Sequence, residues 1–372
     1  MIWNMYSQNM NANNQKRNKK KKRNFIFRGV SILCTIVFLV SGLCGCTAGG
    51  NREENLSKDQ KKLRVVTTIF PQYDFVRQIA GDNVSLTMLL KPGEETHSYE
   101  PTPQDIIAIQ NADLFIYVGG ENDEWVEDIL ESPEMEDVKR LRLVDCVGNI
   151  LAEEHVEGMK EERGHSHEDE EEESHDEEEH FLHSAEETEE EHNEHVHTMD
   201  EHVWTSPGNA IDIVEHITEE LCSLDSEHGQ TYKDNAEAYE TQLKELDTAF
   251  RDVVENAKNH TLLFGDRFPF RYFAAEYGLE YYAAFSGCAS DTEPSAATMA
   301  FLINKVKEEH IPVVLKMELS NDNIANAIAE ACDVPVKVFY SSHNISAKQF
   351  EAGVTYLDLM KENVETLKEA LR

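Results

Sequence analysis

Apolar residues along this chain fall into two kinds of segment. The first kind is short and rich in β-branched residues. Leu63–Ile69, Val84–Leu90, Leu114–Gly119 and Arg142–Cys146 lie in the first half, and Thr261–Phe264, Leu279–Phe285, Val313–Glu318 and Val336–Tyr340 in the second. Short runs of this type bounded by turn residues predict strands. The second kind is helical, and its ends carry punctuation. Gln72–Ala80 lies between Pro71 and Gly81, Pro103–Asn111 opens on proline, and Pro207 begins a stretch running to about Leu224. Proline suits the first helical turn because its missing N–H has no partner there anyway. Glu124–Leu130, Phe270–Tyr277, Pro294–His310, Asn323–Cys332 and Ala347–Leu371 complete the set. Strands alternating with helices imply parallel sheets with helices on both faces. A chain of 372 residues exceeds one ordinary domain. The expected fold is therefore α/β with two lobes, each a small parallel sheet flanked by helices.

Between the two halves, Tyr232–Asn256 places Ala236, Tyr239, Leu243, Leu246, Phe250 and Val253 at spacings of three and four. That is one buried stripe on a long helix, a natural rigid connector. The expected organisation is a first lobe at 63–230, a linking helix at 231–258 and a second lobe at 259–372.

Two segments break the alternation. Eight Lys and Arg residues between Lys16 and Arg28 precede the apolar stretch Val30–Leu43. A basic region followed by an apolar stretch too short to span a bilayer comfortably has the build of a secretory signal. It ends in Leu43-Cys44-Gly45-Cys46, which looks like a bacterial lipobox with Cys46 as the lipidated residue. Residues 1–45 are then a signal peptide and 46–62 a polar tether on the outer face of the membrane. Cys44 stands where a small aliphatic residue is more usual. The second segment is 153–201, with 23 Asp and Glu and nine His against two basic residues. It has too few apolar anchors to offset the entropy of ordering. The reading is a disordered insertion at 153–199 within the first lobe.

Charge and cysteine content narrow the function. The formal charge is −38, and without residues 1–45 the chain keeps 26 basic against 72 acidic residues, or −46. No basic face is available for nucleic acid, whereas cations are attracted. Cys146, Cys222, Cys288 and Cys332 show no CxxC spacing, which argues against a thiolate zinc site. No HExxH, no GxSxG and no Gly-rich phosphate loop occurs. These absences argue against an enzyme, the alternative of another class being a zinc-dependent hydrolase.

Candidate metal ligands sit in two loops. Lys91–Pro103 carries His97 beyond a predicted strand, where ligands bind in parallel sheets. Asp200-Glu201-His202-Val203-Trp204 carries His202 beside carboxylates that could fix its tautomer. The pattern G-x-x-x-H-x-Y-E-P-T-P at Gly93–Pro103, followed by D-x-H-x-W-x-S-P at Asp200–Pro207, resembles the cluster A-I solute-binding proteins. These are the metal receptors of zinc and manganese ABC importers. The resemblance covers residues 63–372 and implies two α/β lobes with one metal in the cleft, His97 and His202 being first-lobe ligands. It implies an ABC permease with its ATPase as partner, and a monomer.

In zinc receptors of this family a His, and in manganese receptors a Glu, follows the first strand of the second lobe. Here the matching stretch is Phe264-Gly265-Asp266-Arg267-Phe268, with Arg267 on the ligand position. Arg cannot bind a metal, whereas Asp266 can. After the last strand, where the family commonly has Asp, this chain has His343. The expected set is His97, His202, His343 and Asp266, or a water in its place, binding Zn²⁺. Glu293 is a weaker candidate, and Arg267 is expected to pair with Asp266 or Glu293. The His-rich run, including His165, His167, His195 and His197, suits weak exchangeable zinc sites. It favours a zinc receptor over a manganese receptor.

Overall fold

The first sheet forms from four short segments that all run the same way. In the computed structural model, which describes residues 62–94, 99–120, 123–159, 199–287, 289 and 293–372, these are β1 (Leu63–Thr67), β2 (Val84–Met88), β3 (Leu114–Tyr117) and β4 (Lys139–Arg142). They pair in parallel in the order β2-β1-β3-β4. The helices α1 (Phe70–Ala80), α2 (Pro103–Gln110) and α3 (Glu124–Leu130) connect them. The second sheet has β5 (Thr261–Phe268), β6 (Glu280–Ser286), β7 (Val314–Lys316) and β8 (Val336–Val338), parallel in the order β6-β5-β7-β8. Its connections are α6 (Arg271–Tyr277), α7 (Ala296–Glu308) and α8 (Asn323–Cys332). Between the two sets lie α4 (Pro207–Leu224) and α5 (Gly229–Glu255), and the chain ends in α9 (Ala347–Glu351) and α10 (Tyr356–Ala370). Both sheets share one strand order. In each, the chain winds first one way and then the other from its starting strand, and the crevice at the strands' carboxyl ends is where such sheets hold ligands.

The long helix α5 buries Tyr232, Ala236, Tyr239, Leu243, Leu246, Phe250 and Val253 along one face, which is the stripe legible in the sequence. At 1.5 Å per residue its 27 residues extend about 40 Å. It packs on α4, α1 and α10. One continuous core runs through Val65 and Leu114 of the first sheet, the α5 stripe, and Leu262 and Leu315 of the second. The described residues form a single compact unit.

The structure departs from the sequence reading in three places. The fourth strand is Lys139–Arg142, and Leu143–Cys146 turns into a 3₁₀ helix. Leu143, Val144 and Cys146 are buried by packing rather than by pairing in the sheet. Their apolar character signalled burial, whereas the strand itself is an edge with exposed Lys139 and Arg140. The closing helix is two helices, broken at Gly353, whose φ of +74° a residue with a side chain rarely adopts. Thr355 then caps α10 through a reciprocal pair with Asp358. Finally, residues 153–159, expected within the disordered insertion, are packed. Glu154 pairs with Arg271 at 3.0 Å and accepts the Tyr281 hydroxyl at 3.0 Å. Met159 is buried, and Gly158 lies against the Phe301 ring.

Candidate metal centre

His202 is placed by the segment that follows the acidic run. Met199 bridges to Ala152, and the Asp200 amide donates to the Leu151 carbonyl at 2.9 Å. Asp200 is buried, and its Oδ1 accepts both the His202 backbone N–H at 2.8 Å and the His202 ring Nδ1 at 3.1 Å. A carboxylate on Nδ1 holds that nitrogen as the donor and leaves Nε2 with its lone pair, the tautomer that binds a metal. The side chain is fully buried, and Nε2 has no hydrogen-bond partner. Burial lowers the His202 pKa, but the Asp200 carboxylate, with Glu201 and Glu153 near it, raises it net. Room for the ring comes from Gly287. A Cβ there would lie 3.0 Å from the Phe268 carbonyl oxygen and 3.3 Å from His202 Cε1.

The second sheet presents His343 to the same place. The loop beyond β8 is held by Ser341, whose carbonyl accepts the indole N–H of Trp204 at 2.9 Å and whose hydroxyl accepts the His343 amide at 3.2 Å. The His343 ring stands edge-on to the rings of His202 and Trp204, with centroids 5.5 and 5.0 Å apart. The next residue, Asn344, donates to the Lys91 and Glu94 carbonyls at 2.9 and 2.8 Å. Those carbonyls belong to the loop that carries His97. The end of that loop is pinned where Thr102 caps α2 in a reciprocal pair with Asp105.

Together these elements enclose a cavity of about 250 Å³, whose walls include His202, His343, Arg267, Glu94, Glu318 and Asn344. Apart from Glu94 and His202, those residues lie beyond or at the carboxyl ends of β5, β7 and β8. Arg267 reaches it because β5 slips register between Phe264 and Arg267, and a bulge re-aims the side chain that follows. Gly265 is obligatory at this slip, since a Cβ there would sit 2.6 Å from the Ala325 Cα of α8.

Asp266 is turned elsewhere. Its Oδ1 accepts the Arg267 amide at 2.9 Å, and its Oδ2 accepts the Met317 amide at 3.0 Å and the Ser320 hydroxyl. Its carboxylate therefore ties the carboxyl end of β5 to the loop beyond β7 and does not line the cavity. Glu293 is exposed and also off the cavity wall. The Arg267 guanidinium donates to the Ala289 carbonyl at 3.3 Å, while only its backbone meets Asp266.

The cavity residue that the sequence reading passed over is Glu318. Its carboxylate accepts the Ser341 amide at 2.7 Å and the Ser341 hydroxyl at 2.8 Å, and burial pushes its pKa up to about 7. It stands at the carboxyl end of the predicted strand Val313–Glu318, the position where a ligand would be sought. The backbone beside it is strained: Leu319 and Ser342 take φ of +61° and +59°, a region costly for residues with side chains. His97, the run residues His165, His167, His195 and His197, and Cys46 lie outside the described residues. Among the described residues, no three His, Cys, Asp or Glu side chains converge closely enough to hold an ion, and no helix is long and apolar enough to cross a membrane.

Comparison with known proteins gives one consistent outcome. Residues 65–370 match the family described as ZnuA, zinc-uptake complex component A, periplasmic. The chain is 31% identical over 343 residues to the high-affinity zinc uptake system protein ZnuA of Bacillus subtilis, covering 90% of this chain and 94% of that one. It is 31% identical over 316 residues to the zinc-binding lipoprotein AdcA of Streptococcus pneumoniae, covering 85% of this chain and 57% of AdcA. It thus spans little more than half the length of the AdcA relatives. The crystal structure of the Zn(II)-bound ZnuA-like domain of S. pneumoniae AdcA superposes with a TM-score of 0.63 at 28% identity, covering 83% of this chain and 99% of that domain. With the match extending through both sheets and the cavity between them, the chain belongs to the ZnuA family of zinc-uptake component A proteins.

Proposed function

We propose that this chain is an extracytoplasmic Zn²⁺ receptor that passes its ion to the permease and ATPase of an ABC importer. In this reading it works as a monomer tethered to the membrane by lipid on Cys46. The observation that carries the proposal is His202. A fully buried imidazole with Nδ1 committed to Asp200 and Nε2 without a partner is poorly satisfied unless something binds that nitrogen. It faces His343 across the cavity, and the loop carrying His97 is tied to the same wall through Asn344. Three imidazoles suit tetrahedral Zn²⁺, whereas Mn²⁺ favours oxygen-rich sites. Asp266 is left out of this set because its oxygens already serve amides and a hydroxyl.

The His-rich run, with His165, His167, His195 and His197, is proposed as an auxiliary collector of Zn²⁺. The test is metal analysis of the chain and its His97→Ala, His202→Ala and His343→Ala variants after exposure to Zn²⁺ and to Mn²⁺. The expected result is one tightly held Zn²⁺ in the parent chain and at least a tenfold weaker site in each variant. Retention of one tight Zn²⁺ by all three variants would overturn the assignment, and preference for Mn²⁺ would favour a manganese receptor.

A further inference from the structure

The turn that carries His343 is fixed at both ends by side-chain amides. Asn363 Oδ1 accepts the Tyr340 amide at 2.7 Å, and its Nδ2 donates to the Tyr340 carbonyl at 2.7 Å. Asn344 donates to the Lys91 and Glu94 carbonyls at 2.9 and 2.8 Å. Between these anchors stand Ser341 and Ser342, and Ser342 holds a φ of +59°. A serine keeps that conformation only where its surroundings over-determine it. Its own hydroxyl does not do so: it is buried and, among the described residues, finds no hydrogen-bond partner.

The constraint comes from just beyond β7. Glu318 Oε2 accepts the Ser341 amide at 2.7 Å, its Oε1 accepts the Ser341 hydroxyl at 2.8 Å, and the Ser342 amide also favours its charge. Successive backbone N–H groups beside a left-handed residue form a concavity that takes an anion. Here the anion is the protein's own carboxylate. Ser341 passes the constraint on in two directions. Its hydroxyl oxygen accepts the His343 amide at 3.2 Å, and its carbonyl accepts the Trp204 indole N–H at 2.9 Å. The Trp204 ring centroid lies 5.0 Å from that of His343 and 5.5 Å from that of His202. One carboxylate thus fixes the backbone that joins the two imidazoles. Glu318 lines the same cavity, but both its oxygens are engaged, as those of Asp266 are.

We infer that Glu318 is a positioning residue for zinc binding: through Ser341 it holds the strained turn that sets His343 against His202, without coordinating the ion itself. The inference rests on the proposed zinc function and deepens it by naming what aligns these two imidazoles.

The experiment is a double-mutant cycle of Glu318→Gln and Ser341→Ala in the full chain, in detergent. Zn²⁺ affinity is read by competition with a chromogenic chelator. The indole N–H resonance of Trp204 is read in the metal-free chain carrying nitrogen-labelled tryptophan, and is assigned by its loss in Trp204→Phe. Gln replaces one acceptor oxygen by a donor, so the two-oxygen grip on Ser341 is broken. Each single variant should keep one site per chain and bind Zn²⁺ at least tenfold more weakly, within the roughly 10–100-fold usual for partners that orient a metal ligand. Each should also shift the indole resonance, which a role in coordination alone would not move. The double variant should fall well short of the product of the two losses, because both break one chain of contacts. Parent-like affinity in Glu318→Gln would overturn the inference and leave the zinc receptor standing. Losses that multiply, or an unmoved indole resonance, would also overturn it, since Glu318 would then act otherwise than through Ser341. Should the Gln variant not fold, Ser341→Ala decides by the same two readouts, and parent-like values there would overturn the inference. No tight Zn²⁺ in the parent chain would instead sink the proposed zinc function itself.

Discussion

In the proposed centre Asp200 acts on His202 without being a ligand itself. By accepting the His202 Nδ1 proton it sets the tautomer and the direction of the ring, and such partners typically carry 10–100-fold of metal affinity. Asp200→Asn should therefore weaken Zn²⁺ binding by about that factor while leaving one site per chain. Competition against a chelator of known affinity checks this, and an unchanged affinity would mean that packing under Gly287 alone orients the ring. A second buried carboxylate makes a pH prediction. Asp123 accepts the Val118 and Gly119 amides at 2.6 and 3.1 Å. Burial, with the Glu201 charge added, pushes its pKa from 3.8 up to about 7. A raised carboxyl pKa means that the folded chain binds the proton more tightly than the unfolded chain. Its ionisation therefore costs nothing below about pH 4, costs progressively more through pH 4–7, and costs fully above pH 7. At about 1.4 kcal/mol per unit the full cost is on the order of 4 kcal/mol. Asp123→Asn, which keeps an oxygen for both amides, should raise the unfolding free energy at pH 8 while changing little at pH 4. Identical pH slopes in parent and variant would count against the buried charge.

At the scale of elements, the contact between α1 and α10 decides how the last helix returns to the first sheet. Asp74 on α1 is fully buried. Its Oδ2 accepts the Tyr356 amide at the start of α10 at 2.7 Å, and its Oδ1 takes Arg77 and Gln78. The Tyr356 hydroxyl then reaches the Trp204 carbonyl at 2.7 Å, next to the cavity. Asp74→Ala would leave the first amide of α10 and the Arg77 guanidinium without this acceptor, at a cost of about 3–5 kcal/mol. Urea unfolding measures it, and a loss below about 0.5 kcal/mol would show that the apolar packing of Phe75 on Tyr356 holds the helix alone. Elements of this kind were legible in the sequence wherever burial and periodicity agreed. The α5 stripe, the proline-started helices and seven of the eight strands follow from local pattern. The edge strand Lys139–Arg142 did not, because its pairing is made by backbone while its side chains stay polar. The site was legible only in part. His202 and His343 stand in loops beyond strands and meet across the cavity, but the orientation of Asp266 depends on amides some fifty residues away, at Met317, which no local pattern encodes. Glu318 was hidden for the opposite reason, a half-buried acid at a strand end that reads as an ordinary surface residue until its Ser341 partners are known.

For the molecule as a whole, the acidic run is inserted at a point where the fold is already closed. Ala152 bridges Met199, and the Leu151 carbonyl accepts the Asp200 amide at 2.9 Å, so the chain is stitched on either side of the insertion just before it reaches His202. Packing of 153–159 against Arg271, Tyr281 and Phe301 fixes the entering strand of chain. Replacing residues 160–198 by a flexible linker of about ten residues should therefore preserve the centre. Loop closure would cost less in the shorter chain, by about 1 kcal/mol for two halvings of length, so stability should hold or rise slightly. The deletion removes eight of the chain's sixteen histidines, and with them the proposed weak sites. Calorimetric titration with Zn²⁺ should show several weak equivalents plus one tight one in the parent chain and the tight one alone in the variant. A saturating ion binding only the folded state adds about 2.7 kcal/mol at a hundredfold excess over its dissociation constant. The zinc-dependent rise in melting temperature should therefore survive the deletion undiminished. Unchanged total stoichiometry would remove the collector role, and loss of the tight equivalent would mean that the run supplies a ligand to the centre itself.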